Sequence, residues 1–247
     1  MFDLTGRVAL VTGAGQSIGA GIAATLAEAG AAVAVNDFFP ERAEATVAGI
    51  VADGGQAVAA PFDVTDLEGV RKGVAQIEQD LGPVDILVNN AGIAFTMKAA
   101  QFRDLQPEEW RDSIELNLFG VLNCVSATVD GMCDRGFGRV VTISSGAGTV
   151  GLGIGVSMYA AGKGGAISFM RHLAVETARF GVTANTLALG MMENNATRIP
   201  EEHIRKLNPI GRLGTGREVG AAAVWLASEG AWVTGQTIEI NGGSVTT

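Results

Sequence analysis

The chain has few of the residues that build disulfide scaffolds and metal centres. Its 247 residues include only two cysteines, Cys124 and Cys133, and two histidines, His172 and His203. The cysteines lie nine residues apart in one predicted helix, where the geometry of a disulfide between them is unfavourable. No combination of these residues has a metal-ligand spacing. We therefore expect two free thiols, buried or partly buried, in a reducing compartment, and no metal site.

Basic residues are also scarce. Lysine and arginine total 17 against 26 acidic residues, for a formal net charge of -9. Nucleic-acid binding requires a basic stripe or patch, and the sequence contains none. The negative balance also disfavours anionic membrane surfaces and very acidic protein partners. Charged residues make up only 17% of the chain, which indicates that sheet-flanking helices or subunit contacts cover much of its surface.

Targeting and membrane-spanning segments are not evident in the sequence. The first 13 residues, MFDLTGRVALVTG, lack a basic region followed by an apolar one and resemble the first strand of a fold. By inspection, no apolar run approaches the roughly 20 residues that span a bilayer. We expect a cytoplasmic protein with no membrane contact.

Strand-like and helical segments alternate along the whole chain. The predicted strands are Arg7–Thr12, Ala32–Asn36, Ala57–Phe62, Val84–Asn89, Arg139–Ser144, Val182–Leu189 and Thr237–Ile240. The predicted helices are Ile18–Ala29, Glu41–Ala52, Leu67–Leu81, Pro107–Asp134, Ser157–Phe180, Glu201–Lys206 and Glu218–Ser228. Runs of β-branched residues without period-two alternation are typical of strands buried on both faces. The pattern predicts an α/β fold: one domain over residues 1–247, with a doubly wound parallel sheet of about seven strands.

A glycine-rich turn follows the first predicted strand. Residues 12–19 read TGAGQSIG and lead directly into the first predicted helix. Backbone amides at a helix N-terminus bind a pyrophosphate, and glycine allows the close approach. Glycines also serve ordinary tight turns, so the position between strand and helix carries the inference. We interpret the segment as a dinucleotide-binding turn.

An acidic residue closes the second predicted strand. Asp37 lies 18 residues after Gly19, where a carboxylate accepts hydrogen bonds from the adenosine ribose hydroxyls. The same carboxylate repels a 2′-phosphate. Neither the turn, at Gln16, nor the position directly after the strand, at Phe38, holds a basic residue. The sequence therefore predicts NAD rather than NADP.

The only tyrosine of the chain begins a Tyr-x-x-x-Lys pattern in the fifth predicted helix. Tyr159 and Lys163 are four residues apart and share one helical face. A free phenol has a pKa of about 10. A neighbouring ammonium and a positively charged nicotinamide ring favour the phenolate and lower that pKa. Such a tyrosine takes the proton of an alcohol as a hydride leaves its carbon.

These features together resemble the classical short-chain dehydrogenase/reductase family over essentially the whole chain. Asp63-Val64 resembles its adenine-contacting pair, and residues 89–92 (NNAG) are similar to its motif after the fourth strand. The resemblance implies a cofactor-binding set of Gly13, Gln16, Ser17, Ile18, Gly19, Asp37, Phe38, Asp63, Val64, Asn90, Ala91, Gly92, Tyr159, Lys163, Gly190, Met192 and Asn194.

The resemblance also implies a catalytic set of Asn117, Ser145, Tyr159 and Lys163. In this scheme Tyr159 is the acid/base and Lys163 tunes its pKa and binds ribose. Ser145 holds the substrate oxygen, with the adjacent Ser144 as a competitor for that role. Asn117 holds a water that links Lys163 to solvent, which completes a proton relay.

The sequence departs from the family pattern at four places. Ser17 replaces the middle glycine of the turn, so its Cβ narrows the space for a pyrophosphate while its hydroxyl could donate to a phosphate. Leu189 precedes Gly190 where the family usually has proline, and Asn194 stands at a position that is usually threonine. The spacing from Ser145 to Tyr159 is one residue longer than usual, which reshapes the substrate wall.

We therefore predict an oxidoreductase that transfers a hydride between NAD and a small secondary alcohol or ketone. One alternative is a 3-oxoacyl-thioester reductase acting on acyl-carrier-protein or coenzyme A substrates, although the prediction of NAD disfavours a biosynthetic reductase. Another is a nucleotide-sensing binding protein without turnover. The segment 191–209 is predicted to cover the site. The low charged fraction and the family resemblance near Gly235–Gly243 predict a homo-oligomer, most simply a homotetramer.

Overall fold

The computed structural model describes residues 2–92, 97–193 and 200–246. In these residues, seven strands form one sheet in the order β3-β2-β1-β4-β5-β6-β7, and every neighbouring pair is parallel. The strands are β1 (Val8–Val11), β2 (Ala32–Val35), β3 (Gln56–Ala59), β4 (Ile86–Asn89), β5 (Gly138–Ser145), β6 (Val182–Leu189) and β7 (Thr237–Ile240). The predicted single-domain α/β fold with a seven-stranded parallel sheet is confirmed.

Helices cover both faces of the sheet. They are α1 (Ser17–Glu28), α2 (Pro40–Ala52), α3 (Leu67–Asp80), α4 (Arg111–Ile114), α5 (Gly120–Arg135), α6 (Ser157–Thr177), α7 (Glu201–Leu207) and α8 (Gly216–Ala227). A π-helical turn, Glu115–Phe119, joins α4 to α5. Short 3₁₀ turns occupy Phe102–Asp104, Pro107–Trp110, Gly146–Gly148 and Ala178–Phe180.

Several predicted boundaries move for identifiable reasons. The third strand ends at Ala59 rather than Phe62, close to Pro61, which cannot donate a ladder hydrogen bond. Helix α8 begins at Gly216, two residues before the predicted start, because Thr215 and Glu218 form a reciprocal capping box. The predicted cap of α3 is confirmed, since the Asp66 carboxylate accepts the Glu68 N–H at 3.1 Å.

The predicted helix Pro107–Asp134 is not a single α-helix. It consists of a 3₁₀ turn, α4, the π turn and α5.

The run Pro107–Arg135 has a mean hydropathy of 1.3 in its most apolar window and is long enough to cross a membrane. The expectation that no apolar run approaches that length was therefore wrong. One such helix is weak evidence for a membrane span, because core helices pass the same test.

Alternate residues of each strand face opposite layers of the core. In β1, Ala9 and Val11 pack with α1 and α8, whereas Val8 and Leu10 pack with α3, α5 and α6. Both strand faces are thus removed from water, which explains the strand pattern without polar alternation. Both cysteines are free, Cys124 buried and Cys133 partly buried, as predicted.

Candidate active site

The order of the strands reverses direction between β1 and β4. Successive strands run from β1 towards β3 on one side and from β4 towards β7 on the other. The chain leaves these two central strands on opposite sides, so a crevice opens at their carboxyl ends. The glycine-rich turn follows β1, and residues 90–92 follow β4. Both predicted nucleotide-binding segments therefore lie at the edge where open α/β sheets bind ligands.

Polar bonds join these two segments. The Asn90 side-chain amide donates to the carbonyl oxygens of Thr12 (2.8 Å) and Gly13 (3.0 Å). The Thr12 hydroxyl accepts the backbone N–H groups of Asn90 (3.0 Å) and Ala91 (3.1 Å). Asn90 and Thr12 thus set the relative position of the two segments. The role of Thr12 was not evident in the sequence, because its hydroxyl bonds to the segment that follows the neighbouring strand β4.

Ser17 has a strained backbone. Its φ is 48°, and it is the only residue other than glycine with a positive φ among the described residues. A side chain in this left-handed region costs roughly 1–2 kcal/mol. The replacement of glycine noted in the sequence therefore has a structural cost in the chain itself. Ser17 and the preceding Gln16 are exposed, and Ile18 is partly exposed. The buried Gly19 follows them in the first turn of α1.

Asp37 is buried beside the glycine-rich turn. Its carboxylate accepts the N–H of Gly15 at 3.1 Å and the N–H of Phe39 at 3.0 Å. The preceding Asn36 accepts the Gly13 N–H at 3.3 Å, so two consecutive side chains hold the turn against β2. This role of Asn36 was missed in the sequence. The signal was an asparagine at the end of an apolar predicted strand, since a buried amide needs a polar partner.

A basic residue also reaches this corner of the site. A Cβ placed on Gly15 would come within 2.5 Å of the Arg42 Cβ and within 2.7 Å of an Asp37 carboxylate oxygen. The guanidinium of Arg42 lies 4.3 Å from the ring centroid of Phe39. The two positions considered in the sequence, Gln16 and Phe38, are not basic, but Arg42 packs against the turn from α2. The direction of α2, which the sequence does not reveal, brings Arg42 to the turn.

The other predicted cofactor residues on this side of the sheet differ in their exposure to solvent. Phe38 is 56% exposed and makes an edge-to-face contact with Phe39, with ring centroids 5.2 Å apart. The Asp63 carboxylate accepts the backbone N–H and the hydroxyl of Thr65, and Val64 is buried against Gly120.

The segment after β6 is tied to the end of the chain and to the stretch before α8. Gly190 donates to the Ile240 carbonyl oxygen at 3.0 Å, and Met192 forms a bridge with Gly214. Asn194 and Ile199 lie outside the described residues. The cover predicted for residues 191–209 therefore stays a prediction.

The predicted acid/base tyrosine lies next to Ser145. Ser145 ends β5 and Tyr159 lies in the first turn of α6. Burial raises the pKa of Tyr159 from 10.0, and a hydrogen bond between the Tyr159 and Ser145 side chains lowers it by a smaller amount. The lowering of this pKa by the Lys163 ammonium and a nicotinamide ring stays a prediction. The Ser144 hydroxyl instead donates to the Lys163 carbonyl oxygen at 3.3 Å. The geometry thus favours Ser145 over Ser144.

Lys163 is fully enclosed beneath this pair. It is 4% exposed, and its ammonium donates to the Ile143 carbonyl oxygen at 2.7 Å. Burial lowers the pKa of Lys163 from 10.5 to about 8. Its Nζ lies 5.8 Å from the Tyr159 ring centroid. A Cβ on Gly92 would come within 2.5 Å of Nζ, so a side chain at this position would displace the end of the lysine.

Asn117 approaches the same point from the π turn. Its side-chain amide donates to the Ser113 carbonyl oxygen at 2.9 Å. Its Oδ1 is buried and has no hydrogen-bond partner within residues 2–92, 97–193 and 200–246, and it would lie 2.9 Å from a Cβ on Gly92. A buried acceptor without a partner indicates a missing donor such as a water. The π turn places Asn117 here, and such turns are frequent at functional sites.

A pocket opens beside Tyr159. It is an open cleft with about 430 Å³ of space, part of it continuous with solvent, and is lined by Met97, Lys98, Leu105, Glu109, Asp112, Ser113, Gly155, Val156, Ser157, Met158 and Tyr159. Its walls combine apolar groups with charged groups of both signs. The sequence did not assign most of these residues, because they come from two loops and from the α4 region. Tyr159 forms part of the wall, so a ligand in this pocket would contact its side chain.

The residues at the carboxyl edge fit a nicotinamide dinucleotide. The glycine-rich turn presents the amide end of α1, and Asp37 lies where a ribose would follow. The unpartnered Asn117 oxygen and the enclosed Lys163 ammonium face the space between β4 and Tyr159. No cluster of histidine, cysteine or acidic residues with metal-binding geometry occurs among the described residues.

Comparisons with known proteins agree with this geometry. The model of the family described as short chain dehydrogenase matches residues 7–204. Acetoacetyl-CoA reductase of Rhizobium meliloti is 43% identical over 244 residues, covering 96% of this chain and 98% of that protein. The 3-oxoacyl-(acyl-carrier-protein) reductase of Vibrio harveyi is 38% identical over 246 residues, covering 98% of each.

Solved structures give the same result. A gluconate 5-dehydrogenase from Burkholderia cenocepacia J2315, in complex with NADP and tartrate, superposes with a TM-score of 0.90. It is 35% identical, and the match covers 98% of this chain and 96% of that one. A short-chain type dehydrogenase/reductase from Mycobacterium marinum has a TM-score of 0.92 at 31% identity, covering 100% and 98%. By its family model, its near full-length relatives and its fold, the chain belongs to the short-chain dehydrogenase family.

Proposed function

We propose that this oxidoreductase interconverts a ketone and a secondary alcohol at position 3 of a short acyl thioester, with the acetoacetyl group as its best candidate. The observation that carries the reaction type is the Ser145–Tyr159 pair above the buried Lys163 and beside the pocket. The substrate class is supported by the relatives, since acetoacetyl-CoA reductases reach 43% identity over nearly the full chain. Of the predicted alternatives, 3-oxoacyl-thioester reduction thus has more support than an unspecified alcohol.

Each step can be assigned to a residue of this chain. The nicotinamide supplies or accepts the hydride at the carbon of the substrate. In the reducing direction, the Tyr159 hydroxyl gives its proton to the substrate oxygen, and in the oxidising direction Tyr159 takes it back. The Ser145 hydroxyl orients that oxygen and stabilises the charge that develops on it.

The positions below Tyr159 resupply its proton. Lys163, with a pKa of about 8, exchanges protons near neutral pH and binds ribose. Asn117 holds the water that links Lys163 to solvent through its unpartnered Oδ1. This scheme accounts for a buried lysine and a buried amide that serve no evident purpose in packing.

We propose NAD as the preferred cofactor. The buried Asp37 carboxylate at the end of β2 repels a 2′-phosphate. Arg42 acts in the opposite sense, because a cation near the same corner attracts a phosphate. The Asp37 carboxylate bonds directly to the Gly15 N–H, whereas the Arg42 guanidinium lies over the Phe39 ring, so we expect the effect of Asp37 to dominate. The NADP in the gluconate 5-dehydrogenase structure shows that close structural relatives also accept the phosphorylated cofactor.

A second candidate substrate is a small polyhydroxylated acid. The pocket walls carry Lys98 together with Glu109 and Asp112, which suits a carboxylate accompanied by hydroxyl groups. The structural similarity to a gluconate 5-dehydrogenase points in the same direction. We rank this candidate second because the chain is 35% identical to the gluconate 5-dehydrogenase and 43% identical to the acetoacetyl-CoA reductase.

A substrate panel separates these functions. Acetoacetyl-CoA, a keto sugar acid and a simple ketone are compared by kcat/KM with NADH and with NADPH. We expect the highest value for acetoacetyl-CoA with NADH. Preference for the keto acid supports the second candidate. Tight NADH binding without turnover of any substrate supports a nucleotide-sensing protein and overturns the proposal.

Two further properties are proposed for the molecule as a whole. We expect a homotetramer, because the surface carries few charges and exposes large apolar residues such as Trp232 and Val175. Sedimentation that gives a monomer at micromolar concentration contradicts it. We also expect a cytoplasmic location, in keeping with the two free thiols.

A further inference from the structure

Two loops on opposite sides of the pocket touch each other through their backbones. One consists of residues 97–101, between β4 and the 3₁₀ turn Phe102–Asp104, and the other of residues 151–156, which lead into α6. The N–H of Ala100 donates to the carbonyl oxygen of Gly155 at 2.9 Å. This bond joins segments more than 50 residues apart in the sequence.

Gly155 makes this contact possible in two ways. Its φ is +72°, a left-handed conformation that other residues adopt only at a cost. A Cβ at this position would also lie 2.9–3.0 Å from the backbone N, C and O atoms of Ala100. These are backbone atoms, which cannot turn aside as the end of a flexible side chain can. Any residue with a side chain at position 155 therefore pushes the two loops apart.

Both loops contribute walls to the pocket beside Tyr159. Met97 and Lys98 line it from one loop, and Gly155 and Val156 line it from the other. The segment from Ser145 to Tyr159, which is one residue longer than the family usually has, includes this second loop. Through the Gly155 carbonyl oxygen, this loop meets the loop that follows β4.

From this geometry we infer that Gly155 is a positioning residue that sets the width of the substrate pocket and limits the bulk of the substrate. The inference rests on the proposed function, since it concerns the pocket in which the ketone is bound. Gly155 acts through Ala100 and touches no reacting atom. Its loss widens the pocket, so a small substrate is held less well, while Ser145, Tyr159 and Lys163 keep their places on β5 and α6.

Three variants of the full-length protein test the inference. Gly155→Ala introduces both the conformational strain and the Cβ contact. Gly155→Asn keeps the Cβ contact but tolerates the left-handed conformation, so it guards against a general loss of folding. Gly153→Ala is the matched control, because a Cβ there meets nothing within 4 Å and its φ is not in the left-handed range.

Two measurements report on these variants. Hydrogen exchange follows the Ala100 amide directly, and steady-state kinetics with acetoacetyl-CoA and a bulkier 3-oxoacyl-CoA separates KM from kcat. We expect the Gly155 variants to exchange the Ala100 amide on the order of tenfold faster, which corresponds to about 1.4 kcal/mol. We also expect KM for acetoacetyl-CoA to rise about fivefold with little change in kcat, and the bulkier substrate to be used relatively better.

The results decide between outcomes. Wild-type exchange at Ala100, or unchanged KM and size preference in both Gly155 variants, overturns the inference. Equal effects of Gly153→Ala also overturn it, since the contact would then be irrelevant. The exchange experiment needs no substrate, so it tests the loop contact even if acetoacetyl-CoA proves not to be turned over, which would overturn the proposed function alone.

Discussion

The burial of Lys163 makes a pH-dependent contribution to stability that can be measured. The side chain is 4% exposed, and burial lowers its pKa from 10.5 to about 8. One pKa unit corresponds to 1.36 kcal/mol, so enclosing the charged lysine costs the folded state about 3 kcal/mol. Below pH 8 the lysine is charged in both states and the full cost applies. Between pH 8 and 10.5 the unfolded chain still binds the proton while the folded chain has released it, so stability rises with pH.

The perturbation is Lys163→Met, which keeps the length of the side chain and removes the charge. It also gives up the hydrogen bond to the Ile143 carbonyl oxygen, a loss of about 1 kcal/mol. At pH 7.5 we therefore expect the variant to be more stable than the wild type by about 2 kcal/mol, although it lacks turnover. Between pH 7.5 and pH 10 this advantage shrinks by about 2 kcal/mol, because only the wild type gains stability.

Urea unfolding at equal protein concentration across this pH range measures the difference between the two proteins. Taking the difference cancels titrations that both proteins share. Lys98→Met removes an exposed lysine by the same substitution and serves as the matched control for the loss of a lysine side chain. A constant difference between wild type and Lys163→Met refutes the reasoning, because it means that the folded chain holds Lys163 in a water-like environment.

Three other substitutions test the site. Tyr159→Phe keeps the packed ring and should preserve NADH binding while lowering kcat by about 10² or more, and near-normal kcat would refute the assignment of the acid/base. Asp37→Asn removes the charge but leaves an oxygen for the Gly15 N–H, so the ratio of kcat/KM for NAD to that for NADP should fall about tenfold. An unchanged ratio would mean that Arg42, not Asp37, governs cofactor choice. Ser17→Gly relieves the positive φ and should lower the Kd of NADH relative to Ser17→Ala, which keeps the strain and also lacks the hydroxyl. Weaker NADH binding by both variants than by the wild type would show that the serine hydroxyl contacts the cofactor.

Most of the fold was predictable because its signals are local. Runs such as Val182–Leu189 are strands with the predicted bounds, and the same residues remain buried on both faces of the sheet. The strand–turn–helix context of residues 12–19 and the Tyr159–Lys163 spacing predicted the two ends of the proposed site. The errors at helix ends arose where a side chain decides the boundary, as Thr215 does for α8.

The sequence by itself thus determined the order of the elements, the position of the glycine-rich turn and the four-residue spacing of Tyr159 and Lys163, since each depends on neighbours along the chain. Only the tertiary structure revealed the hydrogen bond between Ser145 and Tyr159 and the approach of Arg42 to the turn. The contact of Gly155 with Ala100 was decided in the same way. These features depend on the direction in which a strand end or a helix points after packing. Segments distant in sequence then meet at distances of a few ångströms, and burial sets the pKa of each group that they enclose.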